Sequence, residues 1–149
     1  MSWRPSTLAE IASRARQGSD FGMLTREFVD ELAHKTPDQV AQSVAEEPQG
    51  PWRSAVHKAF LAAMAEHYAR RAGLKSPAWA EQPECFLDRA HFGTPLQSLR
   101  AHLLIASPPA FKRRLIFVDR DPIPRAPRPV EFTEIPKPAL SGRVVSLKG

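Results

Sequence analysis

The sequence predicts an all-α fold: a small helical bundle around one long central helix, followed by an extended proline-rich tail. Three observations carry this. Apolar residues recur three and four apart through most of residues 6–114, the spacing of a helix with one buried face. Proline makes up 15 of 149 residues, about twice its ordinary share, and in the first part of the chain it falls at helix starts. Beyond residue 118 the apolar residues come as small islands between prolines, too sparse to build a core of their own. The expected division is a helical domain over 1–118 and a tail over 119–149.

The first helix follows Thr7-Leu8-Ala9-Glu10, which has the spacing of a capping box. Leu8, Ile11, Ala12 and Ala15 then share a face, and Gly18 ends the run. A second helix follows Asp20, with Phe21, Leu24, Phe28 and Leu32 in register, and must stop near Thr36 because Pro37 cannot continue it. Four pairs, Thr36-Pro37, Ser76-Pro77, Thr94-Pro95 and Ser107-Pro108, each put a hydroxyl at N-cap and a proline at N1. The hydroxyl satisfies an orphan N–H, and the ring lacks a donor where none is needed.

The longest helix is expected from Pro51 to about Ala72. Trp52, Ala55, Val56, Ala59, Phe60, Ala63, Met64 and His67 form its apolar stripe, and Arg70-Arg71 complement its dipole before Gly73. Short helical turns fill 77–88. A further helix over 95–106 is expected to bury Leu96, Leu99, Leu103 and Leu104. Leu115-Ile116-Phe117-Val118 reads as one short strand or extended arm. From Asp121 to Pro129 the prolines hold the chain near polyproline II.

Composition narrows the function classes. A length of 149 residues leaves no room for a second independent core. There is no apolar run of membrane-spanning length and no apolar stretch behind Met1 of the kind a secretory leader needs. One cysteine, Cys85, cannot close an internal disulfide. A cytoplasmic, reducing setting is therefore expected. Charge is unevenly placed: residues 1–50 carry five Lys/Arg against eight Asp/Glu, 51–118 carry ten against four, and 119–149 carry six against four. The basic middle suits an acidic partner, protein or nucleic acid.

Signals for chemistry are weak. His34, His57, His67, His91 and His102 lack metal-ligand spacing, and no phosphate-cradling glycine loop or nucleophile elbow is present. Cys85 sits among apolar neighbours, which favours a buried thiol over a thiolate. Glu27, Asp30 and Glu31 read as a solvated face of the second helix. No catalytic residue, metal or cofactor is assigned, and the chain is not expected to be an enzyme. Arg70-Arg71 and Lys112-Arg113-Arg114 are basic clusters that phosphates could use. The short helix pair over 7–34 is net acidic, however, and unsuited to a DNA groove.

Pro77-Ala78-Trp79, then Pro83 with Phe86-Leu87-Asp88, then Ser107-Pro108-Pro109-Ala110-Phe111-Lys112-Arg113-Arg114-Leu115-Ile116-Phe117-Val118 together resemble a family. These are small bacterial antitoxin-like proteins encoded beside nucleotidyltransferase-fold toxins. The resemblance covers about residues 51–118. It implies a toxin partner and supplies no catalytic residues. Some relatives carry a helix-turn-helix segment ahead of this region, where this chain has its acidic helices.

The resulting expectation is an antitoxin-type protein that binds and neutralises a cognate toxin by direct contact. The expected partner-binding residues are Arg113, Arg114, Arg125 and Arg128 as polar contacts, with Phe132, Ile135, Val144 and Leu147 as apolar anchors in the tail. Val130 to Ile135 could add as a strand to a partner's sheet edge. The alternative is a DNA-binding transcriptional regulator using the basic surface of residues 53–114. A third reading is an adaptor subunit of a larger complex.

Overall fold

A computed structural model describes residues 4–123. The described chain is mostly helical, with six α-helices, three short 3₁₀ turns and a two-residue strand pair among those residues. The first three helices are α1 (Leu8–Arg16), α2 (Phe21–Leu32) and α3 (Pro37–Ala45). Each starts where a side chain can take the first free amide. Thr7 accepts from the Glu10 N–H at 3.0 Å, Asp20 from Met23 at 2.8 Å, and Thr36 from Gln39 at 3.3 Å. Only Thr36–Gln39 closes the reciprocal capping box, the Gln39 side chain accepting from the Thr36 N–H at 3.0 Å. The Glu10 carboxylate reaches one residue further back, accepting from the Ser6 N–H at 2.9 Å.

The longest helix, α4 (Ala55–Arg71), begins later than the apolar stripe suggests. The Ser54 hydroxyl accepts from the Val56 N–H at 3.1 Å and fixes the start there, leaving Pro51 and Trp52 outside the helix. Residues 61–66 of α4 are fully buried all round, as expected of a helix with neighbours on every side. Those neighbours include α3 and the 3₁₀ turns at 78–81 and 83–85. Gly73 ends the helix at φ +78°, with the Leu74 N–H on the Ala69 carbonyl at 2.8 Å and its own N–H on Arg70 at 3.0 Å. This left-handed closure is cheap for glycine alone.

Past residue 90 the structure departs from the sequence reading. The strand over 115–118 is present as β2 (Ile116–Phe117), and its partner is β1 (His91–Phe92), which the periodicity did not disclose. They run parallel with His91 opposite Ile116 and Phe92 opposite Phe117. The single helix expected over 95–106 is instead a 3₁₀ turn over 97–99 followed by α5 (Arg100–Ala106). Thr94 does take the Leu96 N–H, at 3.2 Å, but Leu96 stands at the N-cap of that turn and no side chain caps it. Ser107 is not a cap. Its hydroxyl accepts from the Val118 N–H at 2.9 Å and donates to the Leu103 carbonyl at 2.6 Å, tying the end of α5 to the end of β2. The next helix, α6 (Pro109–Lys112), packs on α4.

The core joins Leu8, Ile11, Leu24 and Phe28 to α4, Phe111 and Ile116. Trp79 locks the far end of α3, donating its indole N–H to the Val44 carbonyl at 2.9 Å. Ile123 also belongs to this core, at 5% exposure, and Pro122 is buried beside it. The core therefore reaches past residue 118, where the sequence reading ended the helical domain, to Ile123 at least. Apolar contact with the core decides this, outweighing the prolines that mark the tail's start.

Candidate functional site

Of the expected partner-binding residues, Arg125, Arg128, Phe132, Ile135, Val144 and Leu147 lie outside the described residues, as does the Val130–Ile135 segment. Arg113 and Arg114 lie just after α6, and the structure places the second of them in the interior. Arg114 faces inward, with no solvent exposure at all. Its Nη1 donates to Glu66 Oε1 at 2.6 Å and to the Ala110 carbonyl at 2.8 Å, and its Nη2 donates to the Ala80 carbonyl at 2.8 Å. A buried charge must find such partners, and these commit it to the interior.

Arg113 is divided between interior and surface. Its side chain, 40% exposed, donates to Glu66 Oε1 at 2.8 Å and meets Glu81 with both terminal nitrogens, at 2.7 and 3.1 Å. Those hydrogen bonds hold the Glu81 carboxyl below its ordinary range. Arg70 completes the group, its Nη2 lying 2.9 Å from Glu66 Oε2 in an ion pair not aligned as a hydrogen bond. Both Arg113 and Arg114 lie over the Phe86 ring, at 5.0 and 4.6 Å from its centre. The basic run of 112–114 is thus a clamp joining α4 to α6 and to the 78–81 turn. Lys112 is left exposed.

Sequence reasoning missed Glu66, the hub of this clamp. Its signal was present: Glu66 follows Ala59, Ala62 and Ala63 at helical spacing, a lone carboxylate on an apolar stripe.

Among the described residues no three His, Cys, Asp or Glu are placed to hold a metal ion, and no helix is long and apolar enough to cross a membrane. Cys85 is buried, its sulfur 3.4 Å from the Trp79 carbonyl, and burial pushes its thiol up. Burial also lowers His67, which packs edge-on to Phe111 and Tyr68, and His57, stacked 4.0 Å from Phe21. Glu27 and Glu31 are only half-buried and meet Arg4 at 3.1 and 3.6 Å. An open cleft of about 430 Å³ lies between α2, α3 and α4, lined by Val29, Leu32, Val40 and Tyr68 and edged by Ile123.

The surface that stands out is apolar. Leu96, Leu99, Leu104 and Ile105 are 57%, 42%, 46% and 82% exposed. The sequence reading placed Leu96, Leu99 and Leu104 in the core; of the leucines over 95–106 only Leu103 is buried. On α5, at about 100° per residue, Leu103 marks the inward direction. Leu104, Ala101 and Ile105 follow one another across the outward arc, with Arg100 at one edge and His102 at the other. The Arg100 guanidinium lies 4.8 Å from the centre of the Phe92 ring. His102 Nε2 lies 3.2 Å from Asp119 Oδ1.

No family model, curated protein or solved structure matches this chain.

Proposed function

We propose that this protein is a binding protein of antitoxin type, one that neutralises a cognate toxin by direct contact. The resemblance over residues 51–118 supplies the kind of toxin, one of nucleotidyltransferase fold. The observation that carries the protein-binding half of this reading is the outward face of α5 and the turn before it. Four large aliphatic side chains exposed on one short segment are costly in water and typical of a protein-binding surface. A helical body built around α4 holds that face out. Residues 124–149, with Arg125, Arg128, Phe132, Ile135, Val144 and Leu147, add a second set of contacts.

The DNA-binding alternative draws on the basic surface of 53–114, and there the ion pairs count against it. Arg114 is enclosed, while Arg113 and Arg70 meet Glu66 and Glu81. Fewer cations remain for phosphates than the sequence suggests.

The test is to express the protein encoded beside this one, alone and together with it. Growth arrest by the neighbour alone, relieved on co-expression and accompanied by co-purification of a complex, is the expected result. A neighbour that is harmless and does not co-purify overturns the reading. A mobility shift on upstream DNA that weakens steeply between two salt concentrations while keeping its sequence preference would favour the alternative.

A further inference from the structure

Residues 89–118 contain no Asp or Glu, yet include Arg89, Arg100, Lys112, Arg113 and Arg114. Of these cations, Arg113 and Arg114 are taken up by Glu66 and Glu81, whereas Arg89, Arg100 and Lys112 stand exposed. The apolar face of α5 lies within this carboxylate-free stretch, with Arg100 one turn before Leu104 on the same side of the helix. Asp119 is the acid placed against this segment, held beside His102 at the opposite edge.

From this we infer that α5 is an anchor helix, inserting Leu104 and Ile105 into an apolar cleft on a partner protein whose rim carries carboxylates. The shape argues for insertion. Ile105 projects at 82% exposure from a seven-residue helix, and burying such a side chain requires an apolar concavity supplied by the partner. Charge selects the partner. An acidic rim pairs with Arg100, whereas an antiparallel second copy of this chain would bring two Arg100 edges together, and only a parallel one would set Arg100 against the single Asp119.

The inference rests on the protein-binding reading but does not need the partner to be a toxin. Its test places a photo-crosslinking amino acid at position 105 of the full-length chain in its native host, with position 42 on exposed α3 as control. Crosslinked peptides are then sequenced by mass spectrometry. The expected product joins position 105 to an aliphatic segment of another protein flanked by Asp or Glu. Binding to that purified partner should fall at least about tenfold in Leu104→Ser/Ile105→Ser. In Arg100→Glu it should weaken and lose most of its salt dependence. All these positions are exposed, and circular dichroism confirms that each variant keeps its helix content.

A crosslink within the chain, to a second copy or to a basic segment overturns the inference, as does no crosslink at all. If the neighbouring protein binds with affinity unchanged by these substitutions, the α5 assignment fails while the antitoxin reading stands. If the neighbour neither binds nor arrests growth while position 105 still captures an acid-rimmed cleft elsewhere, the antitoxin reading fails and the anchor stands.

Discussion

Glu66 is the residue on which most of the charge inside this molecule turns. Its carboxylate has no solvent exposure and meets three guanidiniums, of which only Arg114 is equally enclosed. Removing one side of a buried pair leaves the other without compensation, which typically costs about 3–5 kcal/mol. Glu66→Ala should therefore destabilise by about that amount in urea unfolding. Glu66→Met/Arg114→Met should lose less than the two single changes added together. Arg113→Ala should cost about 1 kcal/mol or less, because its pair with Glu81 is partly exposed and Arg70 and Arg114 still meet Glu66.

Acidity acts through other residues. Burial, helped by Arg71 for His67 and by Arg53 for His57, lowers both imidazoles below their ordinary 6.5. The folded chain then binds fewer protons than the unfolded one. The stability present above pH 6.5 declines as pH falls through the lowered folded values. Thermal unfolding between pH 7.5 and 5 should show the midpoint falling, and His67→Asn should flatten that slope.

At the scale of elements, caps and closures decide where each helix begins and ends. Thr36→Ala removes a closed capping box and should cost about 1 kcal/mol. Gly73→Ala forces a side chain into φ +78° and should cost about 1 kcal/mol, although nothing lies within 4 Å of the added Cβ. Both are checked by denaturant midpoints at unchanged slope. These positions were legible in the sequence because a cap is a local device: the side chain and the amide it serves are two or three residues apart. So were α1 to α3, the existence of α4 and the burial of Cys85.

What the sequence withheld was non-local. Spacing of Leu96, Leu99 and Leu103 marks helical turns but cannot say which way a short helix faces, so an outward surface read as core. Ser107 beside Pro108 has the local form of a cap, but its hydroxyl serves Val118, a residue 11 positions away. The basic run at 112–114 reads as surface until Glu66, Ala80 and Ala110 are brought around Arg114. β1 is two residues long, and only its pairing with β2 defines it. Local pattern thus left open which of these residues face water.

For the whole molecule, the core reaches at least as far as Ile123. A chain ending after Ile123 should keep the thermal stability and circular dichroism of the full protein. A chain ending after Val118 should lose stability, because Ile123 leaves the core and Asp119 leaves His102. Comparing the two truncations separates loss of folding from loss of binding. With the shorter deletion, partner affinity should fall by more than about tenfold if the terminal segment supplies its own anchors. An unchanged affinity would leave α5 as the sole anchor.

The distance along the chain between Glu66 and Arg114, 48 residues, has a bearing on how the protein is made. Ribosomes release the N-terminal side first, so α4 emerges with its carboxylate and Arg70 well before Arg113 and Arg114, which follow α6. A nascent chain halted in that interval has only the exposed Arg70 to set against a carboxylate that the finished fold encloses with Arg114. The closing of this interior is therefore a late event in synthesis, and fragments arrested before residue 114 should be digested readily by protease while those extended past the exit tunnel beyond residue 123 resist it.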